Sequence, residues 1–405
     1  MRILFIGEAV TLSHVVRPLA LARAAAGAGH EVIYAVDERY NAIIGERPFR
    51  TIPLVSAFAP AETAHRLKYT APVFDYAILD SYVQEDLRLL KLIQPDLVVG
   101  DMRQSLGISA RLMGVPYAAT VNAHWSPYGD FTMAPATHPL RGLMSPRSFE
   151  ALFAQLFPIG SAVYTFPFNA VRAKYGFPVG PVDIRDLFTD GDYVLHPDIP
   201  LLTPTVGAPD THRFLGPIIW TAQTPIPDWW DQVPSDKPVV AVNLGSSGEP
   251  DLLDDVVAGL RAHDVTVILA TAGRRQMAAA PPALFTADYL PADAVAARAD
   301  LVVCSGGCMP VHPILAAGKP ILSLPSNLDQ LITARMYTRL GIGEHIEEER
   351  TVSPGTVRTL TSRILRDPRY TEAAVSAGAA LSQLDAGTEF LRFLSELEAS
   401  AAVAA

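Results

Sequence analysis

Two doubly wound α/β domains facing a central cleft are the fold predicted for this chain of 405 residues. Three features predict it. Short continuous apolar runs, read as parallel strands buried on both faces, alternate with helix-favouring segments. The alternation breaks at one proline-rich stretch, Phe214–Pro238, and then restarts. Finally, 49% of the chain is apolar, over a length that suggests two domains rather than one.

The first half opens on Arg2–Gly7, an apolar run ending in glycine and read as a strand. Alanine and leucine dominate the segment after it and favour helix, with Gly27 or Gly29 placed to close it. His30–Val36 is the next strand. It completes a β-α-β unit whose loop, Glu8–His14, lies at the strand end where open α/β sheets bind ligands. Pro95–Asp101, Gln104–Gly114 and Val115–Val121 repeat the order strand, helix, strand. From Asn122 to Val182 the periodicity is weak and Pro, Phe, Tyr and Met abound. Long loops and short helices are expected there, lining a pocket or covering the sheet edge.

Phe214–Pro238 carries five prolines and three tryptophans and reads as a linker. Strands then recur at Val239–Gly245, Val265–Thr271, Ala299–Ser305 and Lys319–Pro325, with a helix near Leu252–Ala262. The tail Glu389–Ser400 is an amphipathic helix. The expected division is a first domain over 1–215, a linker over 216–237, a second domain over 238–385 and a terminal helix within 386–405.

Composition excludes several classes of function. A net charge of −10 argues against a nucleic-acid binder, which needs a basic face to meet phosphates. Two cysteines, Cys304 and Cys308, cannot make a disulfide scaffold, so a reducing compartment is expected. The first residues carry Glu8 and His14 among apolar neighbours, too interrupted for a signal peptide. No later segment reads as long enough to span a membrane, and the expectation is a soluble cytoplasmic protein, with a homodimer left open. Cys304, Cys308 and His312 recur every four residues, a spacing that suits metal ligands on a helix. The glycines and prolines among them argue against a continuous helix, and with no fourth ligand nearby no metal is expected.

The densest motif is "SGGCMPVHPILAAGKPILSLPSNLDQ", Ser305 to Gln330. It holds a glycine pair after a strand, then Leu315, Gly318, Pro320, Pro325 and the pair Asp329-Gln330. In the first half, His14 follows the first strand, Gly29-His30 precedes the second, and Asp101 ends "PDLVVGD". "VNLGSSG", Val242–Gly248, ends the first strand of the second half. Over nearly the whole chain this frame resembles the UDP-glycosyltransferase family and its bacterial relatives that glycosylate natural products. The resemblance implies the GT-B fold and an inverting transfer of sugar from a nucleotide-diphosphate donor to a small-molecule acceptor. The nucleotide sugar would be a co-substrate, with no further cofactor.

The resemblance also implies roles. Glycosyl transfer needs a base to take the acceptor's proton, and a neutral imidazole oriented by a carboxylate does so. His14 is the expected base and Asp101 its orienter; alone, His14 would read as a helix cap. Gly245, Ser246, Ser247, Ser305, Gly306 and Gly307 are expected at the diphosphate, where glycines and a helix N-terminus offer free N–H groups. Asp329 and Gln330 would meet sugar hydroxyls, or simply cap a helix. The acceptor is expected near His124, Trp125 and the Phe149–Phe168 region. Four positions depart from the family: Ser305 replaces its His, Pro310 its Ser or Thr, Pro313 its Glu and Ala292 its Gln. A hydrogen bond to a charged group is worth about 1.5–3 kcal/mol, so two lost contacts weaken donor binding by roughly two to four decades. The alternatives are a glycosyltransferase-like auxiliary or binding protein with a decayed donor site, and transfer of a non-sugar group.

Overall fold

A computed structural model describes residues 1–57, 60–68, 71–129, 131, 133–134, 138–245, 247–347 and 351–404. The first sheet has seven strands: β1 (Arg2–Gly7), β2 (Glu31–Asp37), β3 (Arg50–Leu54), β4 (Leu97–Asp101), β5 (Tyr117–Thr120), β6 (Tyr193–His196) and β7 (His212–Phe214). The second has six: β8 (Val239–Asn243), β9 (Thr266–Ala270), β10 (Leu284–Ala287), β11 (Leu301–Cys304), β12 (Ile321–Ser323) and β13 (Gly343–His345). Their orders are β3-β2-β1-β4-β5-β6-β7 and β10-β9-β8-β11-β12-β13, and neighbouring strands pair in parallel throughout. Both orders reverse direction beside their first strand, and the crevice at such a reversal is where doubly wound sheets take ligands. Most strands are short, buried and apolar, so they read as continuous apolar runs, whereas β3, β7 and β13 are more polar and less buried.

The sequence predicts loops and short helices from Asn122 to Val182; the structure instead runs a single 29-residue helix from Pro146 to Lys174. Pro158 and Pro167 lie inside it, and they broke the expected pattern. Ser145 caps the helix by accepting from the Ser148 amide, and Pro146 sits in the first turn, where a missing N–H costs nothing. This helix also overturns the expectation that no segment reaches membrane-span length, because by length and composition alone it does. One face is committed to the first domain, where Phe168 and Val171 join an apolar core. Ile159, Val163 and Phe166 lie exposed on the other.

The terminal helix, Ala386–Ala404, packs on the helix that follows β1. Its Phe390, Phe393 and Leu394 enter the core that holds Phe5, with the Phe5 and Phe390 rings 5.9 Å apart edge to face. Below the cleft, fully buried Arg103 donates to Asp86 and Glu8, each at 2.9 Å, and its guanidinium stacks on Tyr82 at 3.7 Å. Removing one partner of such a buried network strands the other charges. Arg103→Met is therefore expected to lower unfolding free energy by about 3–5 kcal/mol. A urea melt measures this, and an unchanged midpoint would show that the network contributes nothing.

Candidate active site

The site grows from the two sheet reversals. β1 and β4 are neighbours with Gly7 opposite Asp101, and the Glu8 amide donates to the Asp101 carbonyl at 3.1 Å. After β1 the chain turns into helix α1, Ser13–Gly27. A Cβ at Gly7 would sit 2.8 Å from the His14 carbonyl oxygen, so only glycine lets the first turn of α1 approach the strand end. His14 is thereby brought to Asp101, with Nδ1 2.7 Å from Oδ1. Asp101 is buried, while 20% of the His14 side chain is open to the cleft.

A residue that sequence reasoning missed completes this corner. Arg17, one turn along α1, grips Asp101 with two hydrogen bonds of 2.7 Å, from Nε to Oδ2 and from Nη2 to Oδ1. It also donates to the Asn122 side chain. Burial works against the guanidinium's charge, but the Asp101 carboxylate more than offsets it, and the Arg17 pKa is raised. The same Nη2 lies 2.8 Å from His14 Nδ1. Nδ1 cannot accept from Arg17 and donate to Asp101 at once. Only donation to Asp101 leaves Nε2 bare and able to take a proton. The sequence signal for Arg17 was weak, because a cation near a helix start usually faces solvent.

The second sheet supplies the opposite wall. Gly245 and Ser247 follow β8, and Ser305–Gly307 follow β11, at the reversal point of that sheet. Ser246 lies outside the described residues. Gly306 takes φ +89°, and a Cβ there would press on Ser323 at 3.2 Å, so glycine is required. Gly307 is the N-cap of helix Cys308–Ala316. In its first turn the amides of Cys308 and Met309 have no intrahelical acceptor, and Pro310 has no N–H to add. Among the described residues lining this wall there is no Lys or Arg. An anion here meets backbone donors and the helix dipole, with Ser247 and Ser305 the hydroxyl side chains on the same wall.

Helix Leu328–Arg339 places the remaining pair, capped by Asn327, which accepts from the Gln330 amide at 3.0 Å. Asp329 Oδ1 accepts from His124 Nε2 at 2.7 Å and from Trp125 Nε1 at 2.8 Å. His124 and Trp125 come from the first domain, so this carboxylate bridges the cleft. Burial pushes its pKa up, but the His124 ring, the two hydrogen bonds and Arg17 outweigh it and hold the carboxyl at about 2. The two residues expected at the acceptor and the acid expected at the sugar thus meet each other. His124 is fully buried behind this contact, and only Trp125 of the two lines the cleft. Gln330 turns its amide to Ser247 Oγ at 3.0 Å and takes the Ser326 amide and hydroxyl at 2.9 Å, tying the two second-domain loops together. Of the Phe149–Phe168 region, Tyr164 lines the cleft, whereas Phe149 and Phe168 are core.

The cleft encloses about 240 Å³, with His14, Asp101 and Trp125 on one side and Gly307, Asp329 and Gln330 on the other. Among the other aromatic residues that line it are Trp220 from the proline-rich stretch and Tyr289 after β10. The Trp220 Nε1 is buried without a partner among the described residues. Nearby, the Ala292 amide donates to Thr221 Oγ1 at 2.8 Å. Aromatic faces and a spare N–H beside a chain of backbone donors suit a planar base joined to phosphates. Ion pairs Lys68–Glu249, Arg141–Glu347 and Glu150–Arg335 also cross between the halves.

Residues 251–396 match the family model "Erythromycin biosynthesis protein CIII-like, C-terminal domain". A PGL/p-HBAD biosynthesis glycosyltransferase of Mycobacterium tuberculosis is 39% identical over 373 residues, covering 92% of this chain and 87% of that protein. A PGL/p-HBAD biosynthesis rhamnosyltransferase of Mycobacterium bovis is 40% identical over 378 residues, covering 92% and 82%. Among solved structures, the spinosyn rhamnosyltransferase SpnG complexed with thymidine diphosphate superposes with a TM-score of 0.70 at 17% identity, over 98% of this chain and all of that one.

Proposed function

The chain belongs to the GT-B glycosyltransferases of natural-product biosynthesis, and we propose that it moves a sugar from a nucleotide diphosphate to a small-molecule hydroxyl with inversion, in the cytoplasm. The observation that carries the proposal is the His14–Asp101 contact of 2.7 Å, facing the capped helix at Gly307 across one cleft. His14 Nε2 takes the acceptor's hydroxyl proton as that oxygen attacks the anomeric carbon. Asp101 holds the other ring nitrogen's proton and stabilises the imidazolium. The bond from the anomeric carbon to the diphosphate breaks on the opposite face, and a single displacement inverts that carbon. The leaving diphosphate's charge is received by the Cys308 and Met309 amides and the helix dipole. Trp220 and Tyr289 are the natural platform for the base, and the acceptor lies toward Trp125 and Tyr164.

Two prolines, and no lysine or arginine among the described residues of the donor wall, predict a weak nucleotide site. Titration calorimetry with thymidine, uridine and guanosine diphosphates is expected to give heat with at least one. The dissociation constant should be on the order of 0.1–1 mM, or about 4–5.5 kcal/mol. At a hundredfold excess over that constant the fold should gain about 2.7 kcal/mol in a thermal shift. No heat and no shift with any of the three would place the donor outside the nucleotide diphosphates.

A further inference from the structure

Cys304, Cys308 and His312 do not share a face: Cys304 ends β11, and the helix begins after the two glycines. The first domain supplies a different third member. Asp198, just past β6, meets Cys308 and His312 so that one carboxylate oxygen, the thiol sulfur and one imidazole nitrogen all lie within 4.8 Å of one another. All three residues are buried. Cys308 and His312 are four apart on one helix, which puts both on the same face. His312 Nε2 is buried with no hydrogen-bond partner among the described residues, an arrangement that costs about 1–3 kcal/mol unless something accepts its lone pair or takes its proton.

We propose that Asp198, Cys308 and His312 form a binding site for a zinc-class divalent cation at the junction of the two domains. The donor set decides the class. A thiolate, an imidazole and a carboxylate suit zinc, whereas magnesium and calcium prefer oxygen alone. Ligand atoms on one tetrahedral zinc are about 3.5 Å apart, so the cluster needs only small side-chain adjustments. Asp198 is already oriented: it accepts from the Ala123 amide at 2.7 Å and from Asn122 Nδ2 at 3.2 Å, the outer hydrogen bonds expected of a ligating carboxylate. The site is also preformed. Ile199 and Leu202, immediately past Asp198, sit in the core that contains Val311 and Leu315 of the same helix, so apolar packing holds the carboxylate against it. Three protein ligands leave a fourth position. Cys308 is the member that lines the cleft, so a water or a ligand oxygen would arrive from that side.

The test uses the whole chain and the metals alone. After chelator treatment and desalting, zinc titrated against a chromophoric competitor is expected to bind at one equivalent. Cobalt(II) is expected to give tetrahedral visible bands and a near-ultraviolet sulfur-to-metal band. Cys308→Ser should abolish that band with the circular dichroism unchanged, and Cys304→Ser should keep it. Asp198→Asn and His312→Gln should each weaken binding at least tenfold. No stoichiometric zinc and no sulfur band in the unaltered protein would overturn the site, as would a band that survives Cys308→Ser. Neither measurement involves a sugar donor or an acceptor, so failure here leaves glycosyl transfer standing, and failure of transfer leaves this result readable.

Discussion

Replacing His14 by alanine is expected to lower turnover by about two to four decades, the usual yield of a general base. The melting transition should barely move, since the ring is partly open to the cleft and its polar contacts lie at the cleft corner. Nucleotide affinity should also hold, because the donor wall belongs to the other sheet. Asp101→Asn is a different experiment from the one a simple dyad suggests. Its carboxylate orients His14 but also receives two hydrogen bonds from Arg17. Losing that charge strands a buried guanidinium, so a stability loss of about 3–5 kcal/mol should accompany the loss of turnover. Rates must therefore be compared per folded molecule. On that basis the double variant should be no slower than His14→Ala, because the aspartate acts on the chemistry only through the ring. Single-turnover kinetics with the cognate donor and acceptor measures all three. If His14→Ala melted earlier yet turned over normally per folded molecule, the residue would be a helix cap and the base would lie elsewhere.

The two-sheet fold was legible because its signal is local: apolar runs too short to be helices, most with Gly, Asn, Asp or Pro at or just past their ends. The long helix was hidden by that same logic. Proline usually ends a helix, yet Pro158 and Pro167 are held inside this one while Tyr164, Phe168 and Val171 pack inward between and beyond them. At the site, residues tied to a strand end could be named from the sequence, as His14 and Asp101 were. Contacts that depend on two domains meeting could not. Nothing in "NAHW" or "SNLDQ" announces that His124 and Trp125 will grip Asp329, because the pairing spans more than two hundred positions and is made only when the cleft is assembled. Asp198 beside Cys308 and His312 is the same case. Arg17 was hidden for another reason, since its burial follows from Asp101 waiting beneath it rather than from any local pattern.

Asp329 tests whether that cross-cleft contact matters for function. Removing its carboxylate with Asp329→Ala leaves the His124 and Trp125 N–H groups without an acceptor and, on the proposed function, removes an acid for the sugar hydroxyls. At about 1.5–3 kcal/mol for each hydrogen bond to a charged group, kcat/KM for the donor should fall by about two decades or more. Asp329→Asn keeps an acceptor for both N–H groups but loses the charge, so its cost should be about one decade. Acidity offers an independent check. The carboxyl is held at about 2, below its ordinary value of 3.8. A group depressed in the folded state contributes its stability above its unfolded value, near pH 4, and loses it as the pH falls through about 2. The difference in urea midpoint between the unaltered chain and Asp329→Asn should therefore be constant from pH 7 to about 4.5 and shrink below 4. Because other carboxylates titrate equally in both proteins, the difference isolates this one. A midpoint difference of zero at pH 7, together with an unchanged donor KM, would mean that the bridge neither holds the domains nor touches the sugar. Trp125, which lines the cleft, would then be left to serve the acceptor instead.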